Sequence, residues 1–144
     1  MSEGEIMIQS LLQEVSIQLN KISIYGTDEF IRKRYINLGT SYDMEPFVDI
    51  VGDYYHIKVC ERRKVEYEYV TSNKRLAAYI ILEDYTYRRE WADLEDRFKY
   101  SGNAEVLIRE IQSKYFKMFD NIYTQYFEKG ISILNLESVA CEEI

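Results

Sequence analysis

The chain has one histidine, His56, in a stretch of alternating residues, and Asp49 stands where a tight hairpin would set it directly opposite. A carboxylate beside an imidazole stabilises the imidazolium. That geometry serves a general base, but it is also that of a plain ion pair on an open sheet face, the simpler reading here. With a single histidine, a His dyad and a His-rich metal site are both excluded. The second group that could do chemistry is a run of carboxylates, Glu83, Asp84, Glu90, Asp93, Glu95 and Asp96. A di-metal carboxylate helix needs Glu-x-x-His pairs, and this run has none. Its acids interleave with Arg88, Arg89 and Arg97, the pattern of a solvated helix face laced with salt bridges. The functional reading of the same face is an acidic surface for a basic protein, with Tyr87, Glu90, Asp93 and Asp96 as candidate contacts. The third group is Glu61-Arg62. Glu61 has the strand parity of Ile57 and Val59, so it is expected to point inward, where an unpaired carboxylate is costly. A structural bridge from Glu61 to Arg97, or to another arginine of the covering helix, is the expected solution. Gly-rich phosphate loops, Cys-x-x-Cys pairs and Walker sequences are absent from the sequence. No catalytic residue, metal or cofactor is expected.

These groups need elements to position them. Ile8, Leu11, Leu12, Val15 and Leu19 recur at helical spacing over residues 5–20, with Gln9, Gln13 and Gln18 on other faces. Tyr25-Gly26-Thr27-Asp28 breaks that helix, and residues 26–45 show no clean period; Phe30 to Tyr35 fits either a helical turn or an ordered loop. From Pro46 the period changes to two. Gly52-Asp53 suits a two-residue hairpin loop, which sets Ile50 opposite Tyr55, Val48 opposite Ile57 and Pro46 opposite Val59. A third strand from Val65 continues the apolar face if Arg62, Arg63 and Lys64 form a three-residue loop, with Tyr67 opposite Val59 and Tyr69 opposite Ile57. Such a loop favours glycine at positive φ and has none, so strain is expected there. The outer face would then expose Phe47, Tyr54 and Val70. After Thr71-Ser72, a stripe of Leu76, Ile80, Tyr87, Trp91, Leu94 and Phe98 predicts a helix of about 25 residues. Asn103 can cap a following helix carrying Leu107, Ile111, Tyr115, Met118, Ile122 and Tyr126, which stops at Gly130 and pairs antiparallel with the long helix. Ile131 to Leu136 must dock, and 136–144 reads as a frayed tail. The expectation is one α+β domain over 1–144, a three-stranded antiparallel sheet covered on one face by helices, in the order α-β-β-β-α-α.

Tyr55 in a strand, Glu61-Arg62 at the end of that strand, Thr71 before a helix, Glu90 within it, then Arg97, Tyr100 and Glu105-Val106-Leu107 at the next junction form a pattern covering roughly the C-terminal two thirds of the chain. It resembles the bacterial immunity proteins of the family called immunity protein 63, small antidotes that protect a cell from a polymorphic toxin. The family pattern has Gly after Glu-Arg, where this chain has Arg63. The resemblance implies stoichiometric inhibition of a cognate toxin domain, with no turnover.

Composition is compatible with that. A net charge of −7 argues against nucleic acid as a partner, because such binding draws its affinity from Lys and Arg on phosphates; a basic protein is the better match. No apolar run nears the roughly 18 residues that cross a bilayer. Met1-Ser2-Glu3-Gly4-Glu5 lacks the basic start of a secretory signal, so a cytoplasmic protein is expected. Cys60 and Cys141 suit reduced thiols. The 14 tyrosines suit both core and interface. Two other classes stay open: a small-molecule-binding or enzymatic domain using the carboxylate-rich helix and the Asp49-His56 pair, and a homodimer or other homo-oligomeric adaptor using the outer sheet face.

Overall fold

A computed structural model of the protein describes residues 2–36, 45–62, 64–97 and 103–136, the side chains of 95–97 apart. Among them the order is α1 (Glu3–Lys21), α2 (Asp28–Tyr35), β1 (Pro46–Val51), β2 (Tyr54–Glu61), β3 (Lys64–Thr71), α3 (Lys74–Arg97), α4 (Ala104–Met118) and α5 (Asn121–Glu128). The class is α+β, with one antiparallel sheet in the order β1-β2-β3. The stretch without a clean period contains α2. Asp28 and Glu29 sit in its first turn and Arg32, Lys33 and Arg34 in its last, matching the helix dipole, while Ile31 and Tyr35 are buried.

Gly52, at φ +60°, turns the first hairpin, and the register is Ile50 to Tyr55, Asp49 to His56, Val48 to Ile57 and Pro46 to Val59, as expected. The second hairpin differs in its loop. Glu61 pairs with Lys64, so only two residues turn the chain. Val59 still faces Tyr67 and Ile57 still faces Tyr69, because Cys60 pairs with Val65 and a β-bulge leaves Glu66 as an extra residue on β3. The bulge recovers the register that the shorter loop would have lost. The strain expected of a turn without glycine falls on Arg62, at φ +50°.

Val48, Tyr55, Ile57 and Val59 are buried on the inner face. Tyr67 was expected to join them but is 42% exposed, because β3 is the edge strand and lies at the margin of the helical layer. On the outer face Tyr54 and Val70 are exposed, but Phe47 is buried, as is Cys60 diagonally across from it. Parity alone assigned Phe47 to solvent.

Asn73 starts α3, its Oδ1 accepting from the amides of Arg75 and Leu76, one position later than Thr71-Ser72 suggested. Every residue from Leu76 to Leu82 is 2% exposed or less, so this half of α3 is the centre of the molecule rather than one amphipathic face. Farther on, Leu94 is buried but Trp91 is 42% exposed. α4 runs back along α3: Phe116 meets Tyr79, Gln112 meets Glu83 and Arg109 meets Tyr87. Its buried face is Ile108, Gln112 and Phe116, one position round from the expected stripe, and Met118 is exposed.

The expected single helix over 103–130 is two helices, broken at Phe119 and Asp120. The break is held from α1. Gln18, fully buried although its spacing placed it on a polar face, accepts from the Asp120 amide and donates to the Asp120 carboxylate, each at 2.9 Å, while Lys21 pairs with the same carboxylate. Beyond Gly130, at φ +70°, Ile131 docks under the Tyr79 hydroxyl, which donates to its carbonyl at 2.7 Å. Leu136 is buried rather than frayed, and residues 137–144 lie outside the described residues.

Replacing Ile57, which is fully buried in the central strand, with Ala should cost about 2–5 kcal/mol in urea melts. Gln18→Leu should cost about 1–3 kcal/mol by stranding the Asp120 amide, and the loss should be absent when Asp120 and its neighbours are already unfolded by fragmentation of α5.

Candidate functional site

The second half of α3 must carry polar groups out of an apolar core, and its inward carboxylates have internal partners. Glu83 accepts from Arg109 at 2.5 Å; burial raises its carboxyl pKa and the Arg109 hydrogen bond opposes the rise. Gln112, fully buried, donates to the Glu83 carbonyl and to Thr86 Oγ1. Asp84 accepts from the Tyr35 hydroxyl at 2.7 Å and from Arg88 Nε at 2.8 Å. Arg88 also reaches Glu45 at 3.1 Å, and Arg34 of α2 reaches the same Glu45 oxygen at 2.6 Å. The other Glu45 oxygen is buried without a hydrogen-bond partner among the described residues. No sequence spacing announces this network, because Arg34, Glu45 and Asp84 come from three separate segments.

The four residues expected to meet a partner fall in different places. Glu90 is buried and accepts from the Tyr115 hydroxyl; burial, then this hydrogen bond, pushes the Tyr115 phenol up to about 12. Asp93, one turn on, is exposed. The two carboxylates share a hollow of about 600 Å³ with Ile22, Ser23, Ile24, Arg89 and Tyr115. Tyr87 lines a separate hollow of about 340 Å³ with Arg34, Arg88 and Trp91. Its ring stacks on Trp91 at 6.3 Å, and the Arg109 guanidinium lies 4.6 Å from its centroid. The side chain of Asp96 lies outside the described residues. The acidic face is therefore narrower than the sequence suggested, since Glu83, Asp84 and Glu90 are committed to Arg109, to Arg88 with Tyr35, and to Tyr115.

Glu61 is not buried. It is exposed at the end of β2, next to the turn that contains Arg62, and the side chain of Arg97 lies outside the described residues. Val59 and Cys60 are buried consecutively, Val59 on the inner face and Cys60 on the outer, and Glu61, the last residue of β2, is left in solvent. The reason to expect a buried Glu61 bridge is thereby removed. Asp49 and His56 are cross-strand neighbours, yet the carboxylate nearest the imidazole is Glu68, 3.6 Å from Nδ1. Lys58 lies between Asp49 at 3.4 Å and Glu68 at 3.5 Å, which makes this a surface charge cluster. Among the described residues no three His, Cys, Asp or Glu side chains are grouped to hold a metal ion, and no helix is long and apolar enough to cross a membrane.

No family model, curated protein or solved structure matches the chain.

Burial, reinforced by Asp84 at Tyr35, Glu83 at Tyr79 and Glu14 at Tyr123, holds these three phenols well above their usual range. A phenol whose folded pKa exceeds its unfolded value of about 10 contributes stability that is present below that pH and lost as pH rises through the folded value. The stability contributed by these phenols should therefore be constant up to pH of about 10 and be lost above it. Tyrosinate absorbance and far-UV circular dichroism, followed together, should show the buried phenols ionising only as helix is lost.

Proposed function

We propose that the protein is an immunity protein that binds and neutralises a cognate bacterial toxin domain by one-to-one protein–protein inhibition. The observation that carries this reading is the hollow in which Glu90 and Asp93 stand together between the end of α1, α3 and α4. A lysine or arginine of a basic toxin domain entering it would meet the exposed Asp93 carboxylate, with the buried, Tyr115-bonded Glu90 behind it adding negative charge and Arg89 on the same wall opposing it. The net charge of −7 would speed the encounter with such a partner. The resemblance to immunity protein 63 supplies the class of partner, and Glu61-Arg62, exposed at a hairpin end, is better suited to touching that partner than to holding the fold. Inhibition follows from covering the toxin's active site or an essential exosite and uses no catalytic residue or cofactor. The size of the same hollow also favours a second reading, a small-molecule-binding or enzymatic domain, since about 300–1,000 Å³ is usual for ligand sites. An adaptor built on the outer sheet face has less support, because Phe47 is buried.

Co-expression separates these readings. Cells carrying the toxin domain encoded beside this protein should survive only when the protein is present. Charge reversal at Asp93 and Asp96 should slow association by about tenfold at low ionic strength and flatten its salt dependence. An unchanged rate would remove the acidic face from the mechanism, and no rescue with no complex would remove immunity.

A further inference from the structure

We propose that the outer edge of β3 is a strand-addition site for an extended segment of a partner protein whose residues alternate between apolar and cationic side chains. Among the described residues β3 pairs only with β2, so alternate N–H and C=O groups along its other side face outward. Natural edge strands are usually blunted by lysine, proline, a bulge or short length. Here the bulge sits beside the turn, at Glu66, and Tyr67 to Thr71 beyond it contains neither lysine nor proline. The opposite edge is treated differently: β1 begins with Pro46 and is bridged by Ile36.

The outer edge of β3 opens into a groove of about 390 Å³ whose far wall is the docked segment Ile133 to Leu136. Val65, Tyr67 and Val70 on the strand and Leu134 on that wall are all exposed, at 52%, 42%, 46% and 61%. The strand wall contributes Glu66 and Glu68, and among the described residues no Lys or Arg lines the groove. Glu68 also reaches Lys58 and His56 on the outer face of the sheet.

Strand geometry then specifies the occupant. An added strand alternates faces in step with β3, so residues beside Tyr67 and Tyr69 meet Ile133 and Leu134 and should be apolar. Residues on the other face lie beside Glu68, with Glu66 near the strand's end, and should be Lys or Arg. Two other occupants are disfavoured by charge. A second copy paired antiparallel about the middle of β3 would bring the Glu66 and Glu68 carboxylates of both copies together. Residues 137–144 of this chain carry Glu137, Glu142 and Glu143 and no cation. The groove is separate from the Glu90–Asp93 hollow, and the proposal stands without the immunity reading.

The test titrates the ¹⁵N-labelled full-length protein with the peptide Thr-Lys-Val-Lys-Val-Lys-Tyr-Thr and with a control of identical composition in which the lysines are contiguous. The alternating peptide should shift the amides of Tyr67 to Thr71 and Ile133 to Leu136 and give cross-strand contacts to β3. The control should bind at least about tenfold more weakly, and Glu66→Lys with Glu68→Lys should weaken the alternating peptide by a similar factor. Glu66→Lys alone, which leaves the Lys58 and His56 contacts of Glu68 in place, should give part of that loss. Equal binding of the two peptides, shifts elsewhere on the molecule, or indifference to the glutamate substitutions would overturn the proposal. Concentration-dependent dimerisation of the unliganded protein with β3 amides protected would assign the edge to a second copy instead. Peptide binding together with failed toxin rescue would leave this site standing and the immunity reading fallen.

Discussion

Seven consecutive residues of α3, Leu76 to Leu82, have almost no contact with solvent, and the other elements are arranged around that requirement. A helix buried on all sides needs packing partners on all sides. The sheet lies against one side, α1 and α4 against others, and α5 against the same helix. Ala77 and Ala78 are short enough to let neighbouring backbones come close, while Tyr79 brings a ring that meets Phe116 and Tyr126 edge to face. Tyr79 is also the one side chain of the seven with a polar group, and the Ile131 carbonyl satisfies it. Docking of the segment after α5 is thus a consequence of burying a tyrosine at the centre.

Past Leu82 the same helix has to emerge from the core, and it does so through residues that must each find a partner. Thr86 donates back to the Leu82 carbonyl at 2.7 Å, and Glu83, Asp84 and Glu90 take theirs from α4 and α2. In a low-dielectric setting an unmatched group is costly, so these contacts define how α3 is rotated and how far it slides against its neighbours. They also leave Asp93 as the described acid of this face whose carboxylate looks to solvent, next to a half-enclosed hollow. The candidate site is in this sense the residue of a structural problem: the acids nearest the core are occupied, and the one beyond them is not.

Much of the fold was legible because local chemistry and long-range packing agree in it. The hairpin at Gly52-Asp53 and its register follow from a turn that needs positive φ and from strict alternation. The second hairpin shows what alternation misses: the tyrosines had to face Val59 and Ile57, and that was readable, but a bulge at Glu66 and a three-residue loop satisfy the same condition. Glu61 shows a second limit: strand parity does not say where cover ends, and the last residue of β2 lies in solvent. Gln18 reads as polar surface because the group it meets, Asp120, lies far away in sequence. The break between α4 and α5 was hidden for the same reason, since an apolar stripe continues through it. At the candidate site, the acidic character of α3 was visible, but its division into committed and available carboxylates depends on Arg34, Glu45, Arg109 and Tyr115, which no spacing links to it.

The ties between α1 and the joint preceding α5 span most of the chain: Gln18 to Asp120 is 102 residues in sequence and Glu14 to Tyr123 is 109. A chain leaves the ribosome from its N-terminus at about 5–20 residues per second, so α1 emerges roughly 5–20 s before these partners do. During that interval Leu11, Leu12, Val15 and Leu19 have no complete surface to cover them. A nascent α1 is thus a natural client for whatever holds apolar segments apart during translation, and the native state closes late, when the far end of the chain arrives to seal its beginning.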